Sequence, residues 1–219
     1  MVESAEMTNT RDMVWVHSAL RREFTRMPGL VESAANGTDA QRWPAVYDHW
    51  LLMSLFLAEH HGGEDQSLWP KLTERLPDQL DLIESMEAQH ERIHDLLTRA
   101  NAQFAAWGPD AAPTHEESEA LVNDLNDLNA ALDEHLAAEE SQILPLVPGV
   151  ITPPEWAELA ANAQAALPGD KLFVVFGLIL QDLSPDDQAA MLSVLPPPVI
   201  DLWNSAGKSQ YEKYVARLA

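Results

Sequence analysis

The chain has 219 residues, with 35 acidic and 13 basic side chains, a formal net charge of −22 and no cysteine. The charge argues against nucleic acid and anionic membrane as partners, because phosphate binding needs clustered Lys and Arg, and it favours attraction to cations. The missing thiols exclude disulfides, thiolate catalysis and iron–sulfur clusters, while a 46 % hydrophobic content is enough for a full core.

Met1 to Arg11 is polar and shows no basic-then-apolar leader pattern. Beyond it, apolar residues recur at three- and four-residue intervals, and no segment alternates. The first predicted helix runs from about Asn9 to Arg26 and stops before Pro28-Gly29. The second starts near Asp39, with Thr38 or Asp39 as cap, and ends near Leu68, before Trp69-Pro70. The third follows Pro77 and ends near Trp107, before Gly108-Pro109. The fourth opens at Thr114, with Glu116 and Glu117 where acids suit the helix dipole, and ends near Leu144, before Pro145. Four helices with modest connections predict an all-α, up-down-up-down four-helix bundle over residues 9–147.

After Pro148 the prolines multiply and cut the chain into short helical pieces at about 155–167, 170–183, 185–195 and 199–217. Residues 153–219 are therefore expected to form a C-terminal helical extension. Its Leu172–Leu180 run is apolar nearly all round, interrupted only by Gly177. It is too short to cross a bilayer, so it must be buried, either docked on the bundle or in a homodimer contact. A cytoplasmic protein is expected.

The histidines reveal an internal repeat. The stretch from His60 to Pro70 and the stretch from His135 to Pro145 share one pattern: His, three residues, two acids, two polar residues, two apolar residues, Pro. Each is preceded by another histidine, His17 lying 43 positions before His60 and His90 lying 45 before His135. The first two helices thus read as a copy of the next two, and packing about a pseudo-twofold axis would bring two like ligand sets face to face. Residues i and i+4 share a helix face, so His60 with Glu64, His135 with Glu139, and His90 with His94 can each point inward. Imidazole with carboxylate suits iron, with manganese or zinc as alternatives. Glu64 and Glu139 can each bridge two metals, whereas the adjacent Asp65 and Glu140 are expected to face outward. One HxxxE on a helix is more often a surface pair than a metal site. Two matched motifs, two matched upstream histidines and HxxxH on the third helix turn the reading to metal.

Over about Asn9–Val147 this pattern resembles the hemerythrin-like family, in its bacterial and regulatory branches. The resemblance is carried by His17 on the first helix, His60–Glu64 on the second, His90–His94 on the third and His135–Glu139 on the fourth. It implies a non-heme pair of iron ions with an oxo or hydroxo group between them. One ion would be held by His90, His94 and His135, the other by His17 and His60, with Glu64 and Glu139 bridging. Oxygen-carrying members place an aspartate five residues after the fourth-helix histidine. Here Glu140 occupies that place and stays an alternative to Glu139. His61, where some members carry a metal-binding carboxylate, stays an alternative ligand. In the repeat His94 aligns with Arg21, a cation that cannot ligate, so the first-half iron is left with two histidines and an open position. His61 would saturate the site if it filled that gap. His49 is expected in the core and His115 at the surface. Met13, Leu20, Phe56, Met86, Leu97 and Leu132, one turn from the ligands, are expected to keep the pocket dry.

The resemblance implies a protein that binds dioxygen or a related small molecule for sensing, storage or detoxification. A di-iron enzyme using dioxygen, peroxide or nitric oxide stays open, whether catalase-like, nitric-oxide-reducing or an oxygenase in metabolite biosynthesis. So does a module that only handles iron. The lack of cysteine argues against the iron-repair branch.

Overall fold

A computed structural model describes residues 7–35, 37 and 40–219. Thr38 and Asp39, the expected caps of the second helix, lie outside the described residues. Among the described residues there is no strand, and no helix is long and apolar enough to cross a membrane.

Helix α1 (Arg11–Ala35) buries Met13, His17, Leu20, Phe24, Met27, Val31 and Ala34, a stripe that steps by four and three residues. It does not stop before Pro28, as its sequence predicts, but runs through it. An interior proline costs about 3 kcal/mol. Burying Met27 and Val31 beyond and beside it returns about 1.5–3 kcal/mol each, and this outweighs the broken hydrogen bond. Helix α2 (Trp43–Ser67) starts with Pro44 in its first turn. The next, α3 (Trp69–Arg75), follows after Leu68, again with a proline, Pro70, in the first turn. Helix α4 (Leu80–Trp107) ends on Gly108, whose φ of 66° is the left-handed conformation that glycine adopts without strain. Helix α5 (His115–Ala138) is opened by a capping box: the Glu117 N–H donates to Thr114 Oγ1 at 3.3 Å, and the Thr114 N–H donates to Glu117 Oε2 at 2.8 Å. A π-helical turn, Glu139–Ile143, continues it.

Helix α1 packs on α2 and α5, and α4 packs on α5 and α2, which closes a ring of four long helices. Trp43 at the start of α2 stacks on Phe104 near the end of α4, ring centroids 5.6 Å apart, and its indole donates to Gly108 O. His17, early in α1, meets Glu140 just beyond α5. These neighbours therefore run antiparallel. The apolar interior is in two parts. One surrounds Leu20, Phe24, Trp50, Leu57, Leu97 and Leu132. The other surrounds Met13, Trp69, Ile83, Met86 and Ile143. A layer of buried histidine and glutamate lies between them.

The remaining chain forms α6 (Pro153–Ala166), α7 (Leu172–Leu180), α8 (Pro185–Ser193), α9 (Pro197–Leu202), a π-helical turn at Trp203–Gly207 and α10 (Lys208–Ala216). Helix α6 packs on α2, while α7 packs on α1 and α10. Val174, Val175, Leu178 and Tyr214 share the apolar cluster of Phe24 and Trp50, and Trp156 and Leu159 share that of Trp69. Arg22 donates to Leu178 O at 2.7 Å and also pairs with Asp182. Gly177 lies where a Cβ would run into the Tyr211 ring, so α7 and α10 approach closely only because that side chain is absent.

Candidate metal centre

Four helices and the π-helical turn deliver the site. His17 comes from α1; His60, His61 and Glu64 come from α2; His90 comes from α4, His135 from α5 and Glu139 from the turn. The ligand atoms fall into two groups, each within 4.8 Å of one another: His61, His90 and His135, and His17, His60, Glu64 and Glu139. All seven side chains are buried, and His17, Glu64, His135 and Glu139 are 0 % exposed.

The two glutamates lie between the groups. Glu64 Oε1 is 3.5 Å from His60 Nε2, and its Oε2 is 3.5 Å from His90 Nε2. Glu139 Oε2 is 3.4 Å from His17 Nε2 and 3.7 Å from His135 Nε2. Neither carboxylate has a hydrogen-bond partner, nor do the Nε2 atoms of His17, His60 and His61. Buried polar atoms left unpaired are costly, and here they converge.

The outer nitrogens of three rings are tied down. His90 Nδ1 is 2.7 Å from Asp65 Oδ1, His17 Nδ1 is 2.9 Å from Glu140 Oε1, and His135 Nδ1 is 3.1 Å from Gln89 Oε1. Each oxygen accepts, so each Nδ1 carries a proton and each ring turns its Nε2 inward. His90 and His135 Nε2 then face each other at 3.1 Å. Two lone pairs at that distance repel unless a cation stands against them. The protonation pattern agrees. Burial and the neighbouring histidines hold His60 and His61 well below the usual imidazole range and His135 at about 3. Burial lowers His90 too, against the pull of Asp65. Burial, then the facing Glu139, pushes Glu64 well above the carboxylate range, and burial also raises Glu139. Neutral imidazoles beside two carboxyls denied water are a donor set that a divalent cation fits.

The structure does not bring His94 to this set. The inward stripe of α4 is Met86, His90, Ile93, Leu97, Ala100 and Phe104, so after His90 it steps by three rather than four. His94 falls off the stripe and is exposed. His61 stands instead beside His90, their rings stacked with centroids 4.0 Å apart. Adjacent positions about 100° apart on α2 let His60 face His17 and let His61 face His90 and His135. His61 therefore stands with His90 and His135, and the other group carries two histidines, His17 and His60. Arg21 NH1 bonds Glu140 Oε1 at 2.7 Å. Glu140 itself touches His17 rather than the convergent ligand atoms, and His17 and Arg21 hold it below the usual range despite burial.

The sequence alone does not give the roles of Asp65 and Glu140. They do not simply face outward: each orients a histidine of the other half-repeat, Asp65 that of α4 and Glu140 that of α1. The signal was the second acid of each motif. Nor does the sequence single out Glu23. It is fully buried, with Oε2 3.1 Å from His49 Nε2 and Oε1 2.6 Å from Arg22 Nε, so His49 sits in the core as expected. His115 is exposed, and the six apolar residues expected around the ligands are all buried.

Two cavities reach the layer. One, of about 600 Å³, opens over His61 and His90 and is ringed by Asp65, Glu87, Glu91, His94 and Asp95. The other, of about 260 Å³, is apolar and has His60 in its wall.

Fold and site together define an all-α, hemerythrin-like protein with a His/Glu cluster suited to metal cations. The family described as the hemerythrin HHE cation binding domain matches residues 8–147, and the chain belongs to it. Searches of curated proteins and of solved structures gave no match.

Proposed function

We propose that the chain is a non-heme di-iron protein that binds dioxygen or a related small molecule. The observation that carries this is the pair of convergent donor groups, with His61, His90 and His135 on one side, His17 and His60 on the other, and Glu64 and Glu139 within reach of both. Two ions so held would supply reversible redox chemistry toward dioxygen, peroxide or nitric oxide. The protein's own contribution is orientation and exclusion of water. Asp65, Gln89 and Glu140 fix three ring tautomers, and the apolar clusters on either side keep the layer dry. The two-histidine side has fewer donors, and its His60 borders the apolar cavity, a medium in which small apolar molecules collect. The acid-ringed opening over His61 and His90 suits arrival of cations.

The same apolar cavity favours one second reading, an enzyme that turns over dioxygen, peroxide or nitric oxide, because a cavity beside the open side leaves room for a reactant. One experiment separates the two. Ferrous protein prepared without oxygen is given dioxygen, nitric oxide and hydrogen peroxide in turn. A reversible optical change supports binding, and sustained consumption supports the enzyme. Folded protein that takes up no ferrous iron would sink both.

A further inference from the structure

The 260 Å³ cavity lies between the bundle and the C-terminal helices. Val16 and Phe56 line it from α1 and α2, and Leu159, Ile179, Leu195 and Val199 line it from the tail. Asp12 and His60 are the ionisable groups on its wall. Asp12 accepts from the Trp156 indole at 3.0 Å, and the two together make one polar corner. The cover is unusual. Helices α8 and α9 contain no fully buried side chain, although Met191, Val194, Leu195 and Val199 all face the cavity and Val194 is 79 % exposed. An apolar cover over an apolar cavity wants an apolar filling.

We infer that this cavity binds a small, uncharged, largely hydrocarbon molecule whose one polar end meets Asp12 and His60. A dry cavity of about 150 Å³ accommodates benzene, so this one has room for about ten heavy atoms. An anionic head is disfavoured, because Asp12 lines the wall and the chain carries a net charge of −22. Binding itself does not depend on iron. That the occupant lies beside a metal does, and to that extent the inference rests on the function proposed above.

Linear primary alcohols from pentanol to tetradecanol, titrated calorimetrically into the full chain with and without iron, test it. Affinity is expected to rise about fourfold per methylene up to about nine carbons and then to level or fall, because a cavity of limited depth has a length limit that an open patch lacks. Nonanoate should bind at least tenfold more weakly than nonanol. Val199→Trp, which fills the cavity from its cover, should abolish nonanol binding, and Val194→Asp at the exposed mouth should weaken it. Iron content of both variants should match the parent. No saturable binding, a rise with length that has no limit, or undiminished binding in Val199→Trp would overturn the inference. So would sedimentation showing that a second copy of the chain covers this face and that alcohols do not bind. Iron loading without alcohol binding defeats this inference alone. Alcohol binding by protein that takes up no iron defeats the proposed function and leaves the cavity's role intact.

Discussion

His61 is buried against His90 whereas His94 is exposed, and a pair of substitutions separates their contributions. His61→Ala removes a buried ring whose Nε2 has no partner but the convergent site, so it should lower metal affinity by tenfold or more. His94→Ala removes an exposed ring and should leave equilibrium affinity within about twofold, altering at most the rate of uptake. Metal content after dialysis against a chelator reads both, and equal losses would restore His94 as a ligand. The acids form a similar contrast. Glu64→Ala or Glu139→Ala strips a donor that both histidine groups share and should cost more metal than Asp65→Ala or Glu140→Ala, which only loosen a ring. The loosening should still be measurable, since partners of this kind are worth about 10–100-fold in metal affinity. If Glu140→Ala loses metal and Glu139→Ala does not, the five-residue spacing is the working one.

At the scale of elements, one contact lies between α1 and α2 and another between α7 and α10. Glu23 is wholly buried between His49 and Arg22. Burial alone would raise its carboxyl, but His49 and Arg22 outweigh that and hold it at about 2. A depressed carboxyl stabilises the fold fully above its unfolded value near 4.5 and loses that contribution as pH falls toward 2. The loss is on the order of 3 kcal/mol. Glu23→Gln should therefore be less stable than the parent at pH 7, with the difference shrinking between pH 4.5 and 2. Denaturant melts across that window check the sign. The second contact is Gly177 against Tyr211. Gly177→Ala must push α7 from α10 and should cost about 1–3 kcal/mol. Tyr211→Ala in the same chain should recover part of it. Equal stability of parent and Gly177→Ala would show that the approach is not tight.

For the whole molecule, metal and fold are linked. Ions that bind only the folded chain stabilise it by about 2.7 kcal/mol at a free concentration a hundred times Kd. In a chain of this size that raises Tm by about 5–11 °C. Calorimetric scans of metal-free and iron-loaded protein measure the shift, and identical melting temperatures would place the metal outside the core. Truncation at Gly149 would keep every proposed ligand. It would also remove Val174, Val175, Leu178 and Tyr214 from the apolar cluster they share with Phe24 and Trp50. The truncated chain is expected to aggregate, and a soluble monomer with full iron would make the extension an independent module.

The sequence by itself determined the helices and most of the side chains that converge on the buried layer. Apolar spacing marks the helical faces, and the duplicated His-x-x-x-Glu motif with its upstream histidine marks the layer, because both are written in local periodicity. Tertiary structure decided what local spacing leaves degenerate. His94 shares a helix face with His90 and His61 adjoins His60 in sequence, and only the packing of α4 through Ile93 and Leu97, and of α2 with His61 against His90, leaves the first exposed and buries the second. Pro28 reads as a stop until the burial of Met27 and Val31 is known. Asp65 and Glu140 sit beside Glu64 and Glu139 in sequence, but the histidines they hold lie 25 and 123 residues away. The apolar cavity is made by helices from opposite ends of the chain, and a volume between them has no signature in either segment, because it exists only once they pack.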